Sequence, residues 1–508
     1  MSLSDAVAAV VAVFRRRPAD LLPLYLLGAA IPAVVRVLPF LAVLVGYAYL
    51  ETTGRLEAAQ TAVVDLETDV PDPEADPEAF ETWLLEVGEA LEPVATPGLA
   101  ALVVVTIVLS LVAFVVLTAY VSAGQLATCD ARLRSERGLV AGIDGVKRYG
   151  ATFLGLYVLE VVLWIAVALL IGLPTGLIAF AIGLVEPLLA IPVALLGMLA
   201  FVAAIAVVRA LFALAPVAVV VDGVGVFGSL PRAVGFVRAR PVDAAFYYAI
   251  SVGLLLATSV VSSILVLFEV VMTVSLASVF VVLPALDLLK TALYDRYRGR
   301  LRPPKMPERS LRTQLRTGVR RGWDDMTAFV RGTVGIHLLV VGLGVGSFVG
   351  GWLVVDPYVD VLPEAAISTR LEGHIPPTAA LEFFGNNWLV AITTAYAGVA
   401  LVIPALASLV FNGVFIGVTA RLEAEPLELL AFVIPHGIFE IPAIFVASAL
   451  GIWLGVVGWR AHSGRIDREA FADALERSFW VLVGVGILLA IAGFVEGFIS
   501  PYYWRPFL

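Results

Sequence analysis

The sequence predicts an all-α integral membrane protein with about eleven transmembrane helices, six followed by five. Three observations carry that prediction. Of 508 residues, 60% are apolar and only 15% are charged, where a soluble globular chain carries about 25% charged residues. Mean hydropathy is +0.98. Apolar runs of about 20 residues, the length that crosses about 30 Å of hydrocarbon, recur from one end of the chain to the other. A disordered chain, a coiled coil and an ordinary soluble enzyme are excluded on those grounds. The lone cysteine, Cys129, permits neither an intramolecular disulfide nor a Cys-based metal cluster.

Spans are expected near 21–48, 98–124, 153–178, 188–214, 245–266 and 270–291, then near 334–355, 386–403, 405–421, 432–458 and 480–499. The first is interrupted by Pro23, Pro32, Pro39 and Arg36. An intramembrane arginine can line a pathway, but more often it faces a partner helix or snorkels. The first apolar segment is long and lacks a cleavage site, which predicts a signal anchor. Residues 386–421 surround Pro404 and fit either one kinked helix or a hairpin.

The positive-inside rule chooses between them. Arg15, Arg16 and Arg17 precede the first span, and Arg132, Arg134, Arg137, Lys147 and Arg148 lie in the loop 125–152. Arg232, Arg238 and Arg240 lie in the loop 222–244. A hairpin at 386–421 puts Arg460, Arg465, Arg468 and Arg477 on the same side. The expectation is a multi-pass protein of the cell membrane, with its N-terminus cytoplasmic and its C-terminus external.

Residues 1–296 read as one six-span module of three units, each an amphipathic segment, a basic end and a hairpin. Arg17-Pro18-Ala19-Asp20 recurs as Arg240-Pro241-Val242-Asp243, with Tyr25 and Tyr248 each eight residues after the arginine. Lys147-Arg148 followed by Tyr157 is a looser third copy. The apolar faces of Leu3–Phe14 and Val224–Val237 suit the headgroup boundary, or serve as elbows that orient each hairpin. With Tyr294-Asp295-Arg296-Tyr297-Arg298 at its end, the module loosely resembles the membrane domains attached to some glycerophosphodiester phosphodiesterases. That resemblance brings no active site with it.

Residues 297–325 form a basic connector broken by Pro303, Pro304 and Pro307. From 296 to 321 the chain holds ten Lys/Arg and one acid, Glu308. With the N-terminal arginines, Arg298, Arg300, Arg302, Lys305, Arg320 and Arg321 are candidates to face lipid or a partner, or simply to set topology. The loop 51–97 is the opposite outlier. It holds thirteen acids and one base, Arg55, so it alone carries −12 and the rest of the chain +3. Such a loop is solvated and partly disordered, with one short amphipathic helix expected around Phe80, Trp83, Leu84 and Val87. This composition, with only three lysines in the chain, is of the kind associated with halophiles.

Residues 326–508 read as a five-span module. Four polar patterns interrupt its apolar helices: Phe383-Phe384-Gly385-Asn386-Asn387-Trp388, Phe411-Asn412-Gly413-Val414-Phe415-Ile416-Gly417, Pro435-His436-Gly437-Ile438-Phe439-Glu440-Ile441-Pro442-Ala443, and Gly493-Phe494-Val495-Glu496-Gly497-Phe498-Ile499-Ser500-Pro501. Ionisable groups inside a bilayer are expensive, so each is a functional-site hypothesis. His436 and Glu440, four apart, share one helix face. The expected topology brings Asn387, His436, Glu440 and Glu496 to the outer part of the bilayer, within roughly 12 Å of their external helix ends. Asn412 falls near mid-depth. Such a cluster could relay protons or hold a coupling cation, or it could be a hydrogen-bonded knot between helices. One histidine and two carboxylates without an H-E-x-x-H motif make a thin ligand set, and no metal or cofactor is predicted. Gly413, Gly417, Gly437 and Gly451 are candidates for close helix approach.

These patterns, in this order over roughly 320–504, resemble the stage II sporulation protein M family. The most specific parts are the His-Gly-x-x-Glu-x-Pro-Ala stretch at 436–443 and the run from Glu496 to Pro501. In the spore-forming member, the resemblance implies a membrane anchor or scaffold working with proteins that degrade septal cell wall during engulfment. This chain departs from it by carrying the six-span module. The expected function is a non-enzymatic membrane scaffold for envelope or membrane-remodelling partners. The alternative is a transporter or channel through the polar cluster, and an intramembrane hydrolase ranks last. The expected partners are the lipid bilayer and envelope or membrane proteins, without nucleic acid, and homo-oligomers are compatible with the sequence.

Overall fold

The computed structural model describes residues 2–64, 76–267, 270, 272–359, 362, 366–367, 371 and 373–505. It is all-helical, with no strand among the described residues.

The N-terminal helix α1 (Leu3–Arg16) starts at a reciprocal cap, in which Asp5 N–H donates to the Ser2 hydroxyl and Ser2 N–H donates to the Asp5 carboxylate. Three short helices follow, α2 (Pro23–Ala29), α3 (Ile31–Val35) and α4 (Val37–Thr52). The continuous span expected at 21–48 is therefore broken. Pro23, Pro32 and Pro39 each occupy the first turn of one piece, where a missing N–H costs no hydrogen bond. The stretch long and apolar enough to cross a membrane is Ile31–Thr52.

The acidic loop contains α5 (Arg55–Val64) and α6 (Pro77–Ala90). Asp76 caps α6 by accepting from Ala79 N–H at 3.0 Å, and Phe80 stacks on Trp83 at 6.0 Å. Residues 65–75, where part of the expected disorder falls, lie outside the described residues.

Next come α7 (Pro97–Leu133), α8 (Gly138–Val167), α9 (Leu173–Gly183), α10 (Pro187–Asp222), α11 (Val226–Ala239), α12 (Pro241–Val266), α13 (Met272–Ala277) and α14 (Leu283–Tyr297). A π-turn at Ala168–Gly172 joins α8 to α9, and another at Ser278–Val282 joins α13 to α14. Each π-turn is followed at once by a Leu-Pro pair, Leu173-Pro174 and Leu283-Pro284. Widening the turn by one residue relieves the clash between the proline ring and the carbonyl one turn back.

The last group is α15 (Leu311–Gly332), α16 (Val334–Val355), α17 (Pro376–Ala397), α18 (Ile403–Arg421), α19 (Pro426–His462) and α20 (Arg468–Phe498). Residues 376–421 are two helices, broken where Leu401 and Val402 take φ of 63° and 71°. Thr394 and Ser408, on either side of the break, share a 2.8 Å hydrogen bond. The helix expected at 386–403 begins ten residues earlier, at Pro376. It carries Glu382, Asn386 and Asn387. Ten helices among the described residues are long and apolar enough to span a membrane, and α17 is not one of them.

The chain divides into two compact units that interleave in sequence. One comprises Met1–Ala29, Val115–Thr327 and Arg460–Gly484; the other comprises Ala30–Phe114, Ala328–Trp459 and Val485–Leu508.

The first unit is built cyclically. The amphipathic helix α1 packs on α14, and α11 packs on α10. The start of α8 packs on the end of α7, where Gly142 and Gly145 meet Thr128 and Ala127. Each amphipathic segment thus leans on the second helix of the preceding hairpin, with the first leaning on the third. Three tyrosines repeat the pattern. Tyr25 donates to Asp287 (2.9 Å), Tyr157 to Ser122 (3.0 Å) and Tyr248 to the Ala210 carbonyl (2.8 Å). The Arg-Pro-x-Asp motifs also behave alike, Asp20 pairing with Arg132 at 3.3 Å and Asp243 with Arg296 at 2.6 Å. The ring closes three hairpins on one another, so the buried core is shared by all three copies.

The second unit contains the helices that carry the polar patterns. It is held together by glycine contacts. A Cβ on Gly417 would lie 2.0 Å from the Phe348 carbonyl oxygen, and one on Gly413 would lie 2.6 Å from Ser347 Cβ, so α18 and α16 touch backbone to backbone.

Candidate functional site

His436 and Glu440 lie on α19, one turn apart, and Glu496 lies in the last turn of α20. One donor atom from each comes within 4.8 Å of the other two. His436 Nε2 is 3.9 Å from Glu496 Oε1, and Nδ1 is 3.0 Å from the Ser500 hydroxyl. Ser500 is four residues beyond Glu496, so two i,i+4 pairs face each other: His436/Glu440 on one helix, Glu496/Ser500 on the end of the next. Trp504 Nε1–H donates to the Ser500 carbonyl at 2.8 Å and fixes that turn. Phe432 lies edge-on to the imidazole at 5.3 Å.

The site is buried, with His436 6% and Glu496 9% exposed. Glu440 Oε2 and Glu496 Oε2 are both shut off from solvent and have no hydrogen-bond partner. Neither carboxylate is paired with an Arg or Lys among the described residues. Two carboxylates with open oxygens, one imidazole and one hydroxyl therefore converge in an apolar surround. Such a group can share a proton, bind a cation or both.

The other sequence-derived polar residues are placed differently. Asn386 Nδ2 donates to Asn387 Oδ1 at 3.2 Å. Asn412 Nδ2 donates to the Ser408 carbonyl one turn back on its own helix at 2.7 Å. Gly413, Gly417 and Gly451 lie at close approaches; a Cβ on Gly451 would be 2.7 Å from Ala405 Cβ and 2.8 Å from the Thr394 carbonyl. Gly437 meets only Val433 and Ile441 of its own helix.

Sequence reasoning missed several of the packing glycines. Gly455 sits against Val402 and the Gly398 carbonyl, while Gly493 and Gly497 sit against Ala380 and its neighbours on α17. The G-x-x-x-G spacing of 413/417, 451/455 and 493/497 was the available signal. The last pair brackets Glu496. By bringing α20 against α17 it sets the position of the carboxylate that meets His436.

The basic residues separate into engaged and open ones. Arg15 and Arg16 donate to the Arg309 and Lys305 carbonyls, which ties α1 to the connector. Arg298 bonds Asp222, and this pairing raises the arginine's pKa further. Arg300 bonds the Val221 carbonyl. Arg321 reaches Asp325 at 3.4 Å and lies over the Trp480 ring at 4.5 Å. Arg17, Arg302 and Lys305 are exposed, and Arg320, also exposed, lies 3.9 Å from Asp324 one turn on.

A second polar group also escaped sequence reasoning. Lys290 Nζ is 2.7 Å from Asp287 Oδ1, and Asp287 accepts from Tyr25, whose hydroxyl is 3.2 Å from Cys129 Sγ. Two opposite charges three residues apart in an otherwise apolar segment were the sequence signal. Here the charges satisfy one another.

These features define a multi-pass, all-helical membrane protein whose C-terminal helices close by glycine contacts around a buried His-Glu-Glu trio. Residues 336–501 match the stage II sporulation protein M family, and the chain belongs to that family. An uncharacterised protein of Methanocaldococcus jannaschii, MJ0793, is 30% identical over 127 residues, which is 23% of this chain and 67% of that relative. No solved structure matches the chain.

Proposed function

We propose that the protein is a non-enzymatic scaffold of the cell membrane that holds envelope or membrane-remodelling partners. In this reading the N-terminus and the basic connector are cytoplasmic, and the acidic loop and the C-terminus are external. The observation that carries it is the surface of α15. Gly318 and Gly322 turn one face of this helix onto Trp480 and Val483. Leu311, Leu315, Val319 and Trp323, at four-residue spacing, remain exposed. Arg312, Arg316 and Arg320 run beside them at the same spacing. A rigidly seated helix with adjacent apolar and basic stripes offers a partner both hydrophobic anchoring and charge complementarity. Membership of the stage II sporulation protein M family supports the same reading.

The test is site-specific photo-crosslinking of the full-length protein in native membranes. A photoreactive residue at Leu315 should capture discrete protein species, and one at the lipid-exposed Leu199 should not. Recovery of lipid alone from both positions would sink the scaffold reading. An impermeant thiol reagent that labelled Ser310→Cys in sealed cells would reverse the orientation.

A further inference from the structure

The geometry points to a divalent metal site formed by His436 Nε2, Glu440 and Glu496, with Ser500 orienting the imidazole, for a first-row cation of the Mn²⁺, Fe²⁺ or Zn²⁺ kind. This inference is independent of the scaffold reading.

Several observations converge on it. The three donor atoms lie within 4.8 Å of one another. Tetrahedral metal bonds of about 2.1 Å put neighbouring donors about 3.4 Å apart. The 3.9 Å between His436 Nε2 and Glu496 Oε1 is too long for a hydrogen bond and about half an ångström longer than that spacing. Side-chain adjustments of about 1–1.5 Å, within rotamer freedom at the end of a glutamate, would close the trio around an ion.

Burial and charge point the same way. Glu496 is 9% exposed, and one oxygen of each carboxylate is sealed from solvent without a partner. Unsatisfied carboxylate oxygens in an apolar surround are costly, and a divalent cation is the partner that satisfies both at once.

The donor set selects the metal. An imidazole nitrogen argues against Ca²⁺ and Mg²⁺, which take oxygen ligands, and no thiolate is present for a soft ion. The Ser500 hydroxyl lies 3.0 Å from Nδ1, the ring nitrogen opposite Nε2, which is where the outer-shell partner of a metal-bound histidine sits. Three protein donors leave further coordination positions open to water or a small ligand. The sequence alone ranked a metal low because the ligands do not fall in a metalloprotease spacing. The last turn of α20 supplies the third ligand and the turn after it the orienting hydroxyl, and no linear motif records that.

The experiment uses the full-length protein purified in detergent without chelator. After incubation with Mn²⁺, Fe²⁺, Zn²⁺, Mg²⁺ or Ca²⁺ separately and desalting, metal is counted by elemental analysis. About one equivalent of a transition cation per chain is expected, and Mg²⁺ and Ca²⁺ should wash off. Glu440→Gln, Glu496→Gln and His436→Gln should each lose retention. Ser500→Ala should weaken affinity by about 10–100-fold. Asn412→Ala should retain the metal. Chelation should lower the melting temperature of the wild-type protein and leave that of Glu496→Gln unchanged. Failure of the wild-type chain to retain any of the three transition cations overturns the inference, whatever the folding of the variants. Equal retention by the wild type and all three ligand variants overturns it as well.

Discussion

Asp20 is 1% exposed, and its carboxylate holds three groups at once. It accepts from Gly138 N–H at 2.9 Å and Leu139 N–H at 3.0 Å, and it faces Arg132 at 3.3 Å. It therefore caps the start of α8 through space, at the positive end of that helix, while neutralising a buried arginine. Asp20→Ala would strand the guanidinium, and loss of one partner of a buried pair costs about 3–5 kcal/mol. A lower melting temperature in detergent is the expected readout. Adding Arg132→Met should recover part of that loss, because the stranded charge goes with it. Had the double variant melted lower still, by the full sum of the two single losses, the pairing would not be the cause. The sequence marked Asp20 through the Arg-Pro-x-Asp repeat, so the residue was legible. Its partner was not, because Arg132 lies 112 positions away and only the closure of the hairpins brings it near.

Among the helices, glycine spacing decides which pairs touch. Gly417 approaches Phe348 so closely that any side chain displaces α16 from α18, whereas Gly437 has room for a methyl group. Gly417→Val should destabilise the protein by about 1–3 kcal/mol through overpacking. Gly437→Ala should be neutral within about 0.5 kcal/mol, since a Cβ there would meet only Val433 and Ile441 of its own helix at 3.4 and 3.6 Å. Thermal unfolding of the two variants beside the wild type checks both expectations, and equal melting points would remove the distinction. Helix identity was readable from composition, since a run of about 20 apolar residues has few other stable forms in a membrane. Helix ends were less readable. The break at 398–402 rests on two residues in the left-handed region, Leu401 and Val402, neither of which the sequence marks as special. The π-turns before Pro174 and Pro284 were likewise hidden, because a proline alone is equally consistent with a kink, a break or a widened turn.

At the scale of the whole molecule, the compact units do not follow the linear order of the spans. The segment Arg460–Gly484 belongs to the unit of the N-terminal hairpins. There Arg468 pairs with Asp144 and Arg137 with Asp473, and Gly484 packs on Gly322. Residues 30–114 belong to the other unit, with most of the family segment. A chain cut to 326–508 would therefore lose the contacts that the first half of α20 makes with Arg137, Asp144 and Gly322. It should express poorly or melt well below the full-length protein, as read by detergent-extracted yield and thermal unfolding. Equal yield and melting temperature would mean that the segment is self-sufficient. The two exposed ion pairs contribute at most about 1 kcal/mol each, so the loss should come mainly from the packing around Gly322 and Gly484.

The sequence by itself determined that this chain is helical and membrane-embedded, that its Arg-Pro-x-Asp units repeat, and that its C-terminal polar patterns belong to one family. All of these are local properties: the length of an apolar run, a short motif, the order of polar residues. Tertiary structure alone decided that the repeats close into a ring, and that Arg460–Gly484 joins the N-terminal hairpins. It also decided that His436, Glu440, Glu496 and Ser500 meet with two oxygens left open. Those outcomes depend on which helices touch. That is set by close backbone approach at glycines and by pairing of buried charges over a hundred or more residues, which no window along the chain contains.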